Sequence, residues 1–146
     1  MKIALVSDEY HPINQYVLEW LEDKGYQIML FGSYESKQDE PWIEVTIKAA
    51  KAISNGECQE GVFFCWSGTG ASIIANKVSG VRAALCNDKE TAELSRIWND
   101  ANILVLSNRS LEEGVADAIL TSWFSGYDKK ITAKELELIS ELEEKG

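Results

Sequence analysis

The chain has 146 residues, which suits a single domain over residues 1–146, and its 45% hydrophobic content is enough for a core. A formal net charge of -10, from 24 acidic and 14 basic residues, disfavours nucleic acid as a partner because the phosphate backbone is repelled. The three cysteines lack metal-ligand spacing, which predicts a reduced, cytoplasmic protein without a metal site. The apolar N-terminus is too short for a signal peptide, and no apolar run is long enough for a membrane span.

Short apolar runs alternate with longer amphipathic stretches along the chain. The apolar runs predict five buried strands, at residues 2–6, 27–31, 61–65, 81–86 and 102–106. The amphipathic stretches predict helices at 12–24, 41–54 and 71–77, a helix that follows residue 87, another that ends near 124 and a C-terminal helix, with a loop at 32–40. This alternation predicts an α/β fold, a Rossmann-like three-layer sandwich with a five-stranded parallel sheet and helices on both faces.

Polar residues at the predicted helix starts are candidate N-caps. Two capping boxes and one single cap are predicted: Ser110 with Glu113, Thr132 with Glu135, and Asn87, which has Glu90 three residues on. In doubly wound folds, ligands bind beyond the carboxyl ends of the strands. The segments that follow four of the strands are therefore the candidate site: residues 7–12, 65–72, 87–88 and 107–109.

Cys65 is the leading candidate for chemistry, because it ends the third strand where a glycine-rich turn opens a helix. Backbone N–H groups in such a turn stabilise anions, including a thiolate, and Gly68 and Gly70 allow close approach of a ligand. The alternative is that Cys65 is a small buried hydrophobic residue, which suits Cys58 and Cys86 better.

Spacing excludes several uses of this turn. The P-loop pattern is absent, the first strand is followed by a glycine-free segment instead of a dinucleotide fingerprint, and Ala71 occupies the place of a phosphatase arginine. A phosphocysteine carrier remains open, since it needs only the cysteine and the amides.

Three further polar residues follow the first and fifth strands. Asp8 is a candidate ligand-binding carboxylate or a simple turn residue. His11, the only histidine, is either an acid–base group or an inert surface residue. Arg109 is either an anion-binding group or one half of a surface ion pair.

The segment CWSGTGASIIANKVSGVRAALCNDKETAELSRIWNDANILVLSNR, residues 65–109, resembles the central block of a known enzyme family. Its ANK, GVRAA and LSR…ND…N elements occur in the order and spacing found in the ribose-5-phosphate isomerase B / galactose-6-phosphate isomerase family. The resemblance implies a cofactor-free and metal-free interconversion of aldose and ketose sugar phosphates through a cis-enediolate.

The resemblance also implies roles for individual residues. Cys65 matches the base that moves the proton between C1 and C2, and Thr69 stands where other members carry a glutamate base. Ser67 matches a threonine that assists ring opening, and Asp8 matches a residue that binds sugar hydroxyls.

Further matches imply that the active site is shared between subunits. Asn99 and the amides near Gly68 and Gly70 match groups that hold the enediolate oxygens. Arg109 matches an arginine that reaches the phosphate from a neighbouring subunit. The chain is thus expected to form a homodimer, alone or paired into a tetramer, with Asn99 and Arg109 supplied by the partner.

Three positions depart from the family pattern, and the C-terminal arginines that clasp phosphate have no counterpart. Glu9 replaces a histidine on the phosphate side, Trp66 replaces a glycine, and Trp98 replaces a histidine associated with ring opening. A carboxylate repels a phosphate, whereas tryptophans stack on apolar sugar faces. We therefore expect the partner to be a small-molecule sugar or sugar phosphate other than ribose 5-phosphate. The alternative is a non-catalytic sugar or phosphate-metabolite binder that kept the fold.

Overall fold

The computed structural model describes residues 1–145, which form five strands and seven α-helices. The strands are β1 (Lys2–Ser7), β2 (Gln27–Gly32), β3 (Glu60–Cys65), β4 (Ala83–Leu85) and β5 (Ile103–Ser107). The helices are α1 (Pro12–Asp23), α2 (Ser33–Ser36), α3 (Trp42–Ser54), α4 (Thr69–Ala75), α5 (Lys89–Asn99), α6 (Glu113–Trp123) and α7 (Ala133–Lys145), and a 3₁₀ turn at Lys129–Thr132 precedes α7. Within residues 1–145, no helix combines the length and apolar character that a bilayer crossing requires.

The five strands form one parallel sheet in the order β2-β1-β3-β5-β4. β1 and β3 are neighbours near the centre, and the chain leaves β1 towards one edge of the sheet and continues from β3 towards the other. The point where the winding reverses therefore lies between β1 and β3, where doubly wound folds bind ligands. The predicted α/β architecture is confirmed.

Alternate residues of each strand face two separate cores, as the period of a strand requires. Leu5 and Phe64 pack with α1, α5 and α6 on one face. Val6 and Cys65 pack with α3 and α4 on the other. The side chain of Cys65 therefore belongs to the α3–α4 layer, directly below the turn that opens α4.

A buried ion pair fixes the last turn of α5 to the sheet. Arg96 donates from Nη2 to Oε2 of Glu60 at 2.9 Å, from Nη1 to the carbonyl of Ala101 at 2.7 Å and from Nε to the carbonyl of Trp123 at 3.1 Å. Its guanidinium also lies 4.5 Å from the ring centroids of both Trp123 and Tyr127. With its charge paired and its donors occupied, Arg96 holds the end of α5 in one position.

Two predicted boundaries were wrong. The segment at 32–40 is not all loop, because it contains the single-turn helix α2. β4 is shorter than the predicted run at 81–86. The side chain of Asn76 bonds the outer edge of this strand, where Oδ1 accepts from the N–H of Ala83 at 2.7 Å and Nδ2 donates to the carbonyl of Ala83 at 2.9 Å.

The predicted caps were also wrong. Asp88, not Asn87, caps α5, and its carboxylate accepts from the backbone N–H of Thr91 at 2.7 Å. Helix α6 begins at Glu113, so Ser110 lies too far upstream to cap it and instead contacts the hydroxyl of Ser107 at 3.4 Å. Thr132 ends the 3₁₀ turn, and its hydroxyl is buried without a hydrogen-bond partner among the described residues.

Candidate active site

A cleft of about 240 Å³ opens at the carboxyl ends of β1 and β3. Its lining comprises Asp8, Trp42, Cys65, Trp66, Ser67, Thr69 and Gly70. All of these except Trp42 are residues that the sequence predicts for the site. The cleft therefore lies at the reversal point of the sheet, where the topology places ligands.

Cys65 forms the floor of this cleft. Its side chain packs in the α3–α4 core and only 6% of the residue is exposed, so the interpretation as a buried residue holds in part. The sulfur nevertheless accepts two backbone N–H groups, from Gly68 at 3.1 Å and from Ala71 at 3.4 Å. Amide donors of this kind stabilise negative charge on the atom that accepts them.

The turn after Cys65 requires glycine at position 68. Gly68 has φ of +85°, and a Cβ atom there would lie 2.4 Å from Cδ1 of Leu85. Because the N–H of Gly68 is directed at the sulfur, the N–H groups of Thr69 and Gly70 in the first turn of α4 are the ones without an intrahelical acceptor. Both residues line the cleft.

Two hydroxyl groups line the cleft beside this turn. Oγ of Ser67 and Oγ1 of Thr69 lie 2.8 Å apart and hydrogen bond to each other. Each hydroxyl can both donate and accept, so the pair can rearrange to bind an oxygen of a ligand.

Asp8 contributes a half-buried carboxyl group. Burial raises its pKa above the ordinary value, the neighbouring Glu9 carboxylate raises it further, and nearby backbone N–H groups and His11 oppose the shift. Oδ1 is enclosed and has no hydrogen-bond partner among the described residues. Asp8 does not cap α1, whose N-cap is His11, so its carboxyl group remains available for a ligand.

His11 and Glu9 lie at the margin of the cleft and do not line it. Nε2 of His11 lies 3.5 Å from Oε1 of Glu9, an ion-pair distance without hydrogen-bond geometry. The imidazole packs against Trp66 with ring centroids 5.7 Å apart. Its backbone N–H donates to the side chain of Asn14 at 2.7 Å, which fixes the start of α1.

Two tryptophans form the walls of the cleft. Trp66 is 53% exposed, and its carbonyl accepts from Oγ of Ser107 and from the N–H of Arg109, both at 2.9 Å. Trp42 is 41% exposed and lies against Gly70, where a Cβ atom would come within 2.7 Å of the indole. Sequence reasoning missed Trp42, because the candidate segments lie directly after strands and nine residues separate Trp42 from β2.

The remaining predicted site residues are not brought to this cleft within one chain. Trp98 and Asn99 line a separate cavity of about 410 Å³ between the β4 edge and α7. Arg109 is exposed beside the backbone of Trp66, and residues 87–88 also lie outside the cleft. No group of three or more potential metal ligands is assembled within residues 1–145.

The doubly wound sheet, with a cleft at its reversal point, places the protein among the Rossmann-like α/β proteins. Comparison with known proteins narrows this class. A family model described as Ribose/Galactose Isomerase matches residues 3–139. The chain belongs to this family, whose members named below are isomerases of sugars, and it is an aldose–ketose isomerase.

Three similar proteins illustrate the relationship. Ribose-5-P isomerase B of Listeria innocua is 29% identical over 147 positions, with 99% of each chain covered. The 4-deoxy-4-sulfo-D-erythrose isomerase of a Clostridium species is 36% identical over 107 residues, which cover 73% of this chain and 67% of that one. The solved structure of Clostridium thermocellum ribose-5-phosphate isomerase B superimposes with a TM-score of 0.89 at 34% identity, with 99% of both chains covered.

Proposed function

We propose that Cys65 is the catalytic base of this isomerase and that the substrate is a sugar phosphate or a related sugar. The observation that carries the proposal is the position of the sulfur, at the floor of the cleft and bonded by the N–H groups of Gly68 and Ala71. A general base needs a lone pair within reach of the proton, and the two amides lie where they can stabilise negative charge that develops on the sulfur.

The proton transfer uses groups that surround the sulfur. The Cys65 thiolate takes the proton from C2 of the open-chain aldose, a C1=C2 double bond forms, and the electron pair of the carbonyl moves to O1. The hydroxyl proton on O2 passes to O1 through Asp8 or Ser67. The thiol then returns its proton to C1, a carbonyl forms at C2, and the thiolate is regenerated.

Negative charge on the sugar oxygens needs donors in the same cleft. The N–H groups of Thr69 and Gly70 are two such donors, because both residues line the cleft and lie in the first turn of α4. Asp8 would hold sugar hydroxyls, and the two indoles would pack against the apolar face of the sugar. Gly68 contributes indirectly, because its N–H is spent on the sulfur.

The complete site is proposed to require a second subunit. In one chain, Asn99 and Trp98 lie in the cavity beside α7 instead of the Cys65 cleft. A homodimer, alone or as half of a tetramer, would bring the partner's Asn99 to the enediolate. It would also bring the partner's Arg109 to an anionic substituent of the sugar. Trp98 is 59% exposed, which suits a residue that packs against another subunit.

The names of the relatives bound the substrate. They act on ribose 5-phosphate and on 4-deoxy-4-sulfo-D-erythrose, and a further relative is named as a galactose-6-phosphate isomerase subunit, so these sugars have four to six carbons and an anionic end. We infer a substrate of similar size for this chain. Glu9 disfavours an anion at its own margin of the cleft, so an anionic end would lie towards the partner's Arg109. We propose that the protein acts in the cytoplasm, where sugars of this kind are metabolised.

Exchange of the C2 proton tests the proposal directly. The protein is incubated in D₂O with a panel of aldoses and ketoses of four to six carbons, free and phosphorylated, and deuterium at C1 or C2 is followed by NMR. We expect exchange with at least one sugar and a loss of about 10²–10⁴-fold for Cys65→Ser, because general-base catalysis typically contributes that much.

Cys58→Ser is the matched control, since Cys58 is also buried in the α3–α4 core but does not line the cleft. It should keep the activity of the unmodified protein. Full exchange by Cys65→Ser would refute the role of Cys65. Binding of a sugar without exchange would favour the non-catalytic binder instead.

A further inference from the structure

Cys65 and Asp8 face the same cleft from the ends of two neighbouring strands. Cys65 is the last residue of β3, and Asp8 is the first residue after β1. The last pair in the register of these strands is Val6 with Phe63. The ladder therefore ends two residues before each of the two groups, and contacts outside the ladder set the distance between them.

The segment after β5 holds the cysteine side of the cleft. The backbone N–H of Asn108 donates to the carbonyl of Cys65 at 3.0 Å. The N–H of Arg109 and Oγ of Ser107 both donate to the carbonyl of Trp66, each at 2.9 Å. These bonds fix the path of the turn that begins at Cys65.

The side chain of Asn108 holds the aspartate side. Its Nδ2 atom donates to Oγ of Ser7 at 3.0 Å, and that hydroxyl donates to the carbonyl of Glu9 at 2.5 Å. Ser7 and Glu9 flank Asp8 in the sequence. The two bonds therefore close the turn that carries the Asp8 carboxyl group.

Asn14 extends this network to helix α1. Its Nδ2 atom donates to Oδ1 of Asn108 at 2.7 Å, and its Oδ1 atom accepts the backbone N–H of His11 at 2.7 Å. Asn14 is fully buried and Asn108 is 8% exposed, so both amide groups are shielded from water. The network thus attaches the loop at residues 8–11 to the end of β5 at two points.

The network specifies a geometry more than it adds stability. Replacing both partners of a buried hydrogen bond by apolar groups is often nearly neutral for stability, so the core does not need these amides. A chain of donors and acceptors, however, is satisfied in one arrangement. Rotation of the Asn108 amide by half a turn would place two N–H donors against each other at Asn14.

We propose that Asn108 is a positioning residue that sets the Asp8 carboxyl group at the distance from the Cys65 sulfur that isomerisation requires. Its backbone holds the cysteine turn and its side chain holds the aspartate loop, so one residue joins the two halves of the cleft. Asn108 does not line the cleft and acts through Asp8. The inference rests on the proposed roles of Cys65 and Asp8 in proton transfer.

A double-mutant cycle tests this role. Asn108→Ala removes the side-chain bonds and keeps the backbone N–H that donates to Cys65. We expect kcat/KM to fall by roughly 10²-fold, because a displacement of about 1 Å near the chemistry can cost this much. In an Asp8→Asn background the same substitution should change kcat/KM by about two-fold or less, because the group that it positions is gone. The control Ser95→Ala removes a buried hydroxyl outside the cleft and should keep the activity.

The pKa of the Asp8 carboxyl group, measured by ¹³C NMR titration, gives a readout that needs no substrate. Burial raises this pKa in the folded protein, so release of the loop into water should lower it towards the ordinary 3.8 in Asn108→Ala. Asn14→Leu breaks the network from the other side, fills the space with an apolar side chain and should lower the pKa as well. Glu9 and His11, the charged groups that face Asp8, are present in both variants.

Three results overturn the inference. The first is a kcat/KM of Asn108→Ala within about two-fold of the unmodified protein, and the second is an equally large loss in the Asp8→Asn background. The third is an Asp8 pKa that neither variant changes. Inactivity of the unmodified protein with every sugar, or full activity of Cys65→Ser, instead refutes the proposed function. The titration then still decides whether Asn108 positions Asp8, so the two failures are distinguishable.

Discussion

Replacement of Arg96 should destabilise the protein far more than the loss of a surface arginine would, because Arg96 forms a buried ion pair with Glu60. Arg96→Met keeps most of the side-chain volume and removes the charge. Glu60 then retains a single hydrogen bond, from Nε1 of Trp123 at 3.0 Å, and its buried carboxylate loses its counter-charge. The carbonyls of Ala101 and Trp123 lose their donors as well.

The expected loss follows from these contacts. Breaking a buried ion pair by removing one partner costs about 3–5 kcal/mol, out of a total stability of about 5–15 kcal/mol for a typical domain. Because a chain of this size loses about 2–4 °C of Tm per kcal/mol, Tm should fall by about 6–20 °C. The double variant Arg96→Met/Glu60→Gln removes both charges and should recover part of this loss.

Urea unfolding followed by circular dichroism measures these differences. The free energy of unfolding is compared for the unmodified protein, Arg96→Met, Glu60→Gln and the double variant. A loss below about 1 kcal/mol for Arg96→Met, the range of surface ion pairs, would refute the reasoning. A double variant no more stable than Arg96→Met would show that the unpaired carboxylate is not the cause.

Three further predictions concern the cleft. Gly68→Ala should cost about 1–3 kcal/mol in urea unfolding, because φ is +85° and the new Cβ atom would collide with Leu85. Asp8→Asn should stabilise the protein at neutral pH, because the buried carboxyl has a raised pKa, and the gain should vanish in acid, near and below its ordinary pKa of 3.8. Iodoacetamide should label Cys65 before Cys86, because burial raises the pKa of Cys86 to about 11.

Each of these predictions has a control. Gly25→Ala, at φ of +82° with no atom within 4 Å of the new Cβ, should lose less stability than the substitution at Gly68. For Asp8, the folded state binds the proton more tightly than the unfolded chain, so stability falls as pH rises through the interval between the two pKa values. A gain that persists in acid contradicts this. Mass spectrometry that finds equal labelling of Cys65 and Cys86 contradicts the third prediction.

Apolar runs predicted the sheet well, because burial on both faces gives a parallel strand a continuous apolar signal. The helix starts were predicted less well, since several neighbouring residues can cap a helix equally. Asn87 and Asp88 are such a pair, and only the backbone path places Asp88 at the cap. The contact of Asn76 with the outer edge of β4 joins two elements, and no local pattern contains it.

The candidate site was predictable where it follows a strand. Asp8 and the turn from Cys65 to Gly70 come directly after β1 and β3 and meet in one cleft. Trp42 was missed because nine residues separate it from β2, and its place in the cleft depends on how α3 packs on Gly70. The roles of Asn99 and Arg109 stay predictions, because they depend on an association between subunits.

The winding of the sheet separates the parts of the cleft along the chain. Its floor belongs to β3, whereas its sides come from connections that leave β1, β2 and β3 in different crossovers. Substitutions in one connection can reshape a wall without disturbing the neighbouring wall or either core. A fold arranged in this way can accept changes at the rim of the cleft while Cys65 at its floor stays in place.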